Sequence, residues 1–283
     1  MASSYLNIAS FLFTTLFYYL VLKPKLNYDD MTNPDKYNNY LNNEKIYLAV
    51  YFFAILIVQF VANAYVITQT CGGSVAQNIG ASGGFTFIPW TLLFGIVIVV
   101  LLIFPGFKSA FSDVIGYFYV SGSANKLLTE LLVNNDVQTK IDSDNASTPQ
   151  QKAAMQQAAD MIVKICGNTS ILINQIVPSN FVEYWNILKP LMKSQYQTDG
   201  PLADAKRNEL FELVVTRDNV GEAMWYLYTG FLISSIVQLK IATRGCVVNP
   251  QQMAKNYQNY VEEQEKSVQE QKKATSSVYT LTN

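Results

Sequence analysis

Residues 92–111 read LLFGIVIVVLLIFPGFKSAF, and this stretch decides how the rest of the chain is interpreted. It consists of an uncharged apolar run that ends abruptly at Pro105-Gly106. Proline followed by glycine is a helix stop, and about 20 apolar residues allow a helix to cross the ~30 Å hydrocarbon core of a bilayer. We therefore predict a membrane-spanning helix over residues 86–104 that ends where the bilayer ends.

Two further apolar stretches, residues 5–22 and 46–67, contain no Asp, Glu, Lys or Arg. Each is long enough to cross a bilayer, so residues 1–104 are predicted to form a transmembrane region with three spans. A signal peptide is the alternative for the first stretch, but Lys23 and Lys25 follow it and no basic residue precedes it. This charge pattern favours an uncleaved anchor followed by a cytosolic connector.

A fourth and weaker apolar stretch lies at residues 221–241. Gly230 and Ser234 form a small-xxx-small pair there, which favours close helix packing in lipid. The alternative is a buried helix of a soluble domain. We predict a fourth span, and therefore an all-α protein with a multi-pass membrane region and a helical extramembrane domain over residues 105–220.

Two amide side chains lie inside the second predicted span. Gln59 and Asn63 are four residues apart, so they share one face of a helix. In a membrane this face is expected to pack on another helix, where the amides find hydrogen-bond partners; a ligand site is the alternative. The glycine-rich residues 68–84 predict a flexible loop, because Gly80 is not followed by the Lys and Ser/Thr of a phosphate-binding loop.

The extramembrane domain is predicted to begin with an amphipathic helix. From residue 107 onward, apolar side chains recur at i, i+4, i+7, i+8 and i+11, with polar residues on the opposite side. Such a helix can lie in the membrane interface or pack into the domain, and both alternatives stay open. We expect Phe111 to be buried in either case. The stripe consists of Phe107, Phe111, Val114, Ile115 and Phe118.

Two more aromatic residues are candidates for contacts with the membrane or with a protein partner. Trp185 lies on the apolar face of a predicted helix in the domain. Tyr257 lies on a narrow apolar stripe of the polar helical tail, residues 242–283. This tail either docks on a partner or is a solvated charged helix.

The composition excludes several classes of function. Half of the 283 residues are hydrophobic and 14% are charged, whereas soluble domains carry about 25% charge. The net charge of −1 argues against nucleic-acid binding, and the absence of histidine excludes His-based catalysis and imidazole metal sites. Because no nucleophile is paired with a base, we predict no enzyme activity, no cofactor, no metal and no small-molecule substrate.

The three cysteines, Cys71, Cys166 and Cys246, form no CxxC pair. With four spans, Cys71 and Cys246 lie on the lumenal side together, where disulfides can form. A Cys71–Cys246 bridge would need Cα atoms within about 7 Å. Lys240 and Arg244 argue the other way, because basic residues prefer the cytosolic side, where a three-span topology would place them.

Several strings of the sequence resemble a multi-pass membrane protein of large nucleocytoplasmic DNA viruses, similar to chlorella-virus and mimivirus-like sequences. The resemblance covers most of the chain up to Cys246. The strings are FPGFKSAF at 104–111, GYFYVSGSANKLLTELL at 116–132, NQIVPSNF at 174–181, VTRDNVGEAMWYLYTG at 215–230 and TRGC at 243–246.

This resemblance implies a structural role without catalytic residues. Such proteins are similar to minor capsid components, which sit in the internal membrane of the virion beneath an icosahedral shell. The implied partners are the lipid bilayer and the major and other minor capsid proteins, and a host membrane is the implied location during assembly. The alternative function is a viral membrane channel or transporter, for which Gln59, Asn63 and the glycine-rich residues 72–84 are the supporting features.

Overall fold

The computed structural model describes residues 5–72, 74–132, 169–243 and 250–276. Within these ranges the regular structure is helical, with no β-strand beyond an isolated bridge pair between Leu132 and Met192. The prediction of an all-α fold is therefore confirmed. The α-helices are α1 (Leu6–Phe17), α2 (Tyr28–Thr32), α3 (Pro34–Cys71), α4 (Val75–Pro89), α5 (Gly95–Ile103), α6 (Ser109–Phe111), α7 (Tyr117–Leu131), α8 (Phe181–Leu188), α9 (Ser194–Gln197), α10 (Pro201–Thr243) and α11 (Pro250–Ser276). Shorter 3-10 or π-helical segments are Tyr18–Leu22, Trp90–Phe94, Pro105–Lys108, Ser112–Gly116, Thr169–Gln175, Pro178–Asn180 and Lys189–Leu191.

One hydrophobic cluster, which we call the bundle, combines four helical stretches. It is formed by α1 with the following residues 18–22, α3 from Leu48 onward, the helix α4–α5 and α10 from Tyr226 onward. Its centre is aromatic: the rings of Tyr18 and Tyr51 stack at 4.4 Å, and Phe11 packs on Trp90 at 5.4 Å between ring centroids. Each of these side chains is buried.

A second cluster, which we call the domain, lies on one side of the bundle. It combines α7, α8, residues 169–175 and the first half of α10, with Tyr28 from α2 packed against it. Phe181 lies at its centre and contacts Phe211 edge-to-face at 4.9 Å between ring centroids. The predicted extramembrane domain is thus described over residues 105–132 and 169–220.

Helix α10 belongs to both clusters. Leu210 and Val214 lie in the core of the domain, whereas Ile233 and Val237 lie in the core of the bundle. The helix has 43 residues, which corresponds to about 65 Å at about 1.5 Å per residue. A single unbroken rod therefore forms a wall of both parts of the molecule.

Two helices are long and apolar enough to cross a membrane by length and composition, α3 and the continuous stretch Val75–Ile103. The latter has 28% of its most apolar window buried. The predicted first span corresponds to Leu6–Leu22, a shorter apolar helix, and the predicted fourth span is part of α10. The three spans expected within residues 1–104 are therefore more than the two that this criterion supports.

Most of the glycine-rich stretch 68–84 is helical, so the prediction of a flexible loop over this range is wrong. Helix α3 continues to Cys71 and is followed by Gly72, which has a φ of 71°, and α4 begins at Val75. Ser74 and Gln77 form a reciprocal capping box that starts α4. Glycine costs a helix about 1 kcal/mol relative to alanine, and packing of α4 on α3, with Phe60 stacked on Phe87, outweighs this local preference.

The predicted amphipathic helix is also irregular. Residues 105–116 form a 3-10 turn, the single turn α6 and a π-helical turn before α7 begins. The reason is a close approach to α10: a Cβ on Gly116 would lie 2.5 Å from the Arg217 backbone oxygen, and one on Gly221 would lie 2.6 Å from Ser112 Cβ. The two backbones touch, so the segment follows α10 rather than a regular spiral.

Candidate functional site

The outer face of the bundle is apolar. Large hydrophobic side chains point outward on all four of its helical stretches, with exposed fractions of 81% for Leu20 and 61% for Phe53, for example. Ile88 and Leu239 are similarly exposed on α4 and α10. Soluble proteins rarely show contiguous apolar surface on this scale, whereas a lipid-facing bundle requires it.

The interior of the bundle, in contrast, holds a chain of hydrogen-bonded polar side chains. Asn7 of α1 donates to the side-chain oxygen of Asn63, and Asn63 Nδ2 donates to Thr86 Oγ1 at 2.8 Å. Gln59 Nε2 donates to the backbone oxygen of Asn7 at 3.0 Å and to Ser10 Oγ at 3.1 Å. These contacts join α1, α3 and α4, so the two amides that the sequence singled out lie between helices.

Gly230 of α10 lies against α1. A Cβ on Gly230 would fall 2.1 Å from the ring of Phe11, so only glycine allows this approach. Ser234, one turn further on, is 1% exposed. Both residues of the small-xxx-small pair are therefore inside the bundle, and their role in packing within lipid stays a prediction.

Five charged side chains meet where the bundle joins the domain, and we call them the junction cluster. Glu222 of α10 lies at its centre: one carboxylate oxygen contacts Lys23 Nζ, and the other lies 2.7 Å from Lys108 Nζ. Lys108 also contacts Asp218 at 3.1 Å, and Lys23 lies 3.7 Å from Glu44. Tyr19 donates a hydrogen bond to Glu222 at 3.0 Å.

These charges are almost removed from water. The side chains of Lys23 and Glu222 are each 5% exposed. Burial by itself lowers the pKa of Lys108, but the neighbouring Glu222 and Asp218 outweigh burial and hold that pKa above its ordinary value. Lys108 therefore stays charged at any physiological pH, and the cluster acts as a permanent electrostatic link.

A second buried contact reinforces the junction from the side of the domain. Arg217 donates to the backbone oxygen of Ile173 and to the side chain of Asn174, and it lies 3.7 Å from Asp113. Trp225 Nε1 donates to the backbone oxygen of Phe107 at 2.8 Å. Segments on both sides of the junction are thus tied to α10.

A pocket of about 630 Å³ opens beside the junction cluster. Its lining includes Glu44, Lys108, Asp218 and Glu222, together with apolar side chains from the ends of α3 and α5. We call it the junction pocket. Because it lies at the level where the apolar helices end, it combines a hydrophobic wall with a charged one.

The predicted stripe remains at the surface. Phe107, Val114 and Phe118 are exposed, the last to 75%. Ile115 is half-buried, as is Phe111, which packs edge-to-face on Trp225 at 5.0 Å between ring centroids. Phe111 is therefore less buried than we expected, because Ser112 and Gly116 are the residues that face α10.

The other predicted contact residues divide between core and surface. Trp185 is 4% exposed and stacks on Phe181 in the domain core, so it offers no surface to a partner. Tyr257 is exposed on α11. Cys71 is disulfide-bonded; Cys166 and Cys246 both lie outside the described residues, so the Cys71–Cys246 pair stays a prediction.

The junction cluster is the feature that sequence reasoning missed. Lys23 was used as a topology signal, and Lys108 was assigned to the polar side of an amphipathic helix. The signal that could have found the cluster is the pair Asp218 and Glu222, four residues apart at the start of an apolar stretch. Charges on one helix face at a membrane boundary require partners.

No known protein family, curated protein or solved structure matches this chain. Among the described residues, no group of three or more His, Cys, Asp or Glu side chains could hold a metal ion. The features of the described residues that bear on function are therefore the apolar exterior of the bundle, the junction cluster and the junction pocket.

Proposed function

We propose that this protein is a structural membrane protein, in which the bundle is embedded in a bilayer and the domain is held on one face of it. The observation that carries the proposal is the apolar exterior of the bundle, with Leu20 and Phe53 exposed outside while the amide of Asn63 is buried inside. Four helical stretches share this apolar exterior, which supports four spans, including the predicted fourth one at residues 221–241.

A rigid link between bundle and domain supports an anchoring role. Helix α10 passes through both clusters without a break, and the junction cluster ties Lys23 and Lys108 to it at the point of passage. A protein that transmits force between a membrane and an external lattice needs such a joint rather than a hinge. Hinges are a few residues that absorb large φ/ψ changes, and α10 offers no interruption for them.

The resemblance to virion membrane proteins supports a viral capsid as the external lattice. We propose that the chain is a minor capsid protein that joins the internal virion membrane to the icosahedral shell. Lys23, Lys25, Lys36 and Lys45 favour a cytosolic connector, and the domain lies on the same face as that connector. Capsids of this kind grow on the cytosolic face of host membranes, so the domain would face capsid proteins.

The test is cross-linking mass spectrometry on intact virions. We expect the exposed Lys193 of the domain to cross-link to major or other minor capsid proteins, and Lys266 of the tail to give a different set of neighbours. If the protein is missing from purified particles, or leaves the membrane when the capsid is stripped with high salt, the proposal fails. Cross-links from Lys193 to core proteins alone would contradict the orientation.

The channel or transporter alternative draws on the polar chain formed by Asn7, Gln59, Asn63 and Thr86 inside the bundle. These side chains bond to one another, and the buried charges of the described bundle, Glu222 and its partners, lie at the end next to the domain rather than at mid-bundle, where transport sites usually place them. Liposomes containing the purified protein should therefore not conduct ions. A conductance that disappears with Asn63→Ala would favour the channel instead.

A further inference from the structure

We propose that the junction pocket binds the headgroup of a zwitterionic phospholipid, in which an amine or choline cation is joined to a phosphate. The inference rests on the membrane embedding proposed above, but it does not depend on the capsid role. It assigns a specific lipid site to a region that a purely structural anchor would not need.

The shape and position of the pocket suit one lipid molecule. Its volume of about 630 Å³ lies within the range of about 300–1,000 Å³ that is typical of ligand sites. Leu48, Leu101 and Leu102 form an apolar wall where the spans end, and Leu102 is 40% exposed toward the lipid side. The polar lining residues include Ser109 and, from the domain, Ser179.

Glu44 is the carboxylate of the site with the weakest contact to a cation. The junction cluster contains three carboxylates and two lysines, and Lys45, which also lines the pocket, brings the site to charge balance. The two oxygens of Glu222 contact both lysines, whereas Glu44 lies 3.7 Å from Lys23, too far for a hydrogen bond, and accepts a long hydrogen bond of 3.4 Å from Tyr40. Glu44 lines the pocket with a side chain that is 15% exposed. A partly desolvated carboxylate with such distant partners is stabilised by a positively charged ligand.

Side chains beside Glu44 match the rest of a zwitterionic headgroup. Tyr37 and Tyr40 also line the pocket, and their rings stack at 6.3 Å; aromatic faces attract quaternary ammonium groups. Lys45, the next residue along α3, lines the rim, is exposed, and makes no ion pair within the described ranges, so it is available to a phosphate.

The order of these groups along α3 follows the order of groups in a phospholipid. Glu44 and Lys45 lie about one helical turn, or about 6 Å, from Leu48, at about 1.5 Å per residue. Acyl chains at the apolar wall would therefore place the headgroup at Glu44 and Lys45. An anionic lipid without an amine would offer no cation to Glu44 and would add net charge to a site whose three carboxylates and three lysines balance, so it should bind more weakly.

The test is native mass spectrometry of the full chain released from detergent micelles that contain one added phospholipid. We expect a one-to-one adduct with phosphatidylethanolamine or phosphatidylcholine, and about tenfold weaker binding of phosphatidylglycerol, which corresponds to about 1.4 kcal/mol. Glu44→Gln and Lys45→Ala should each weaken the zwitterionic adduct by a similar factor. Lys36→Ala is the matched control, because Lys36 is exposed on the same helix and does not line the pocket.

A second pair of variants separates loss of the site from loss of the fold. Ser179→Trp should fill the pocket and abolish the adduct, whereas Ser123→Trp, at an exposed serine of α7 outside the pocket, should leave it unchanged. Equal binding of all three lipids, or adducts that survive Ser179→Trp, would overturn the proposal. If the adduct is absent while the chain stays in the membrane fraction, the lipid site alone fails; if the chain leaves the membrane, the proposed function fails as well.

Discussion

In the domain, Phe181, Trp185 and Phe211 fill the centre, and the hydrophobic effect of water drives their burial. In the bundle, Gln59 and Asn63 are inside while large apolar side chains face outward. Both parts are helical and bury apolar side chains, and α10 contributes to both cores. They differ in their exteriors and in the polar side chains that the bundle encloses. The comparison teaches that the surroundings of each part, which for the bundle we propose to be lipid, decide which side chains cover its surface.

The largest effect is expected at the point where the two regions meet. Glu222→Ala leaves Lys23 and Lys108 buried without their shared acceptor, and removing one partner of a buried ion pair costs about 3–5 kcal/mol. Thermal unfolding in detergent should therefore occur at a much lower temperature. Glu183→Ala, at an exposed position of α8, is the control. Equal unfolding temperatures for the two variants would show that the junction cluster does not couple the regions.

A charged substitution on the outer face of each region should distinguish a surface that faces lipid from one that faces water. Ile57 is 64% exposed near the middle of the second predicted span, so Ile57→Lys should cost about 2.5–3.5 kcal/mol at insertion. Ile187 is 44% exposed on the domain, where a lysine is solvated and should be tolerated. The measurement is the fraction of each variant that resists carbonate extraction from membranes. If both variants insert equally well, the bundle does not face lipid at this residue.

Close packing inside the bundle can be tested with a single methyl group. Gly230→Ala places a Cβ against the ring of Phe11, and overpacking of this kind costs about 1–3 kcal/mol. Gly122→Ala in α7 meets no atom within 4 Å and should be neutral or stabilising, because alanine is the better helix former. Phe11→Leu should partly rescue Gly230→Ala in a double-mutant cycle of unfolding free energies. Independent effects of the two substitutions would place α1 farther from α10.

The smallest effect is expected for the polar chain of the bundle. Hydrogen bonds between membrane helices contribute about 0.6 kcal/mol on average, so Asn63→Leu should reduce the free energy of unfolding only slightly. A double-mutant cycle with Thr86→Val should recover most of this value as coupling, because Asn63 donates to Thr86. A coupling near zero would mean that the two side chains stabilise the bundle separately.

The parts of the fold that sequence reasoning predicted well depend on local patterns. The apolar runs, the shared face of Gln59 and Asn63, and the small pair at Gly230 and Ser234 are all read within a few turns of one helix. The glycine-rich helix α4 was missed because local propensity is weak evidence when packing on a neighbouring helix favours the helical state.

The junction cluster could not be predicted, for a different reason. Lys23 and Glu222 are 199 positions apart, and the local sequence around each residue does not indicate that the two side chains are in contact. A lysine that follows an apolar run is already explained as a signal of membrane topology. The sequence pattern therefore does not predict that Lys23 also pairs with Glu222. The exposed position of the stripe could also not be predicted from the sequence, because the π-helical turn at Ser112–Gly116 depends on contact with α10.

The double membership of α10 also constrains the biosynthesis of the protein. Leu127 and Leu128 of α7 are buried in a core that includes the first half of α10. Helix α10 ends at Thr243, so the ribosome completes it long after α7. At about 5–20 residues per second, translation of this 43-residue helix alone takes about 2–9 s. During that interval the hydrophobic surface of α7 stays incomplete. Chaperones that recognise such surfaces should therefore associate with nascent chains of this protein until α10 has emerged.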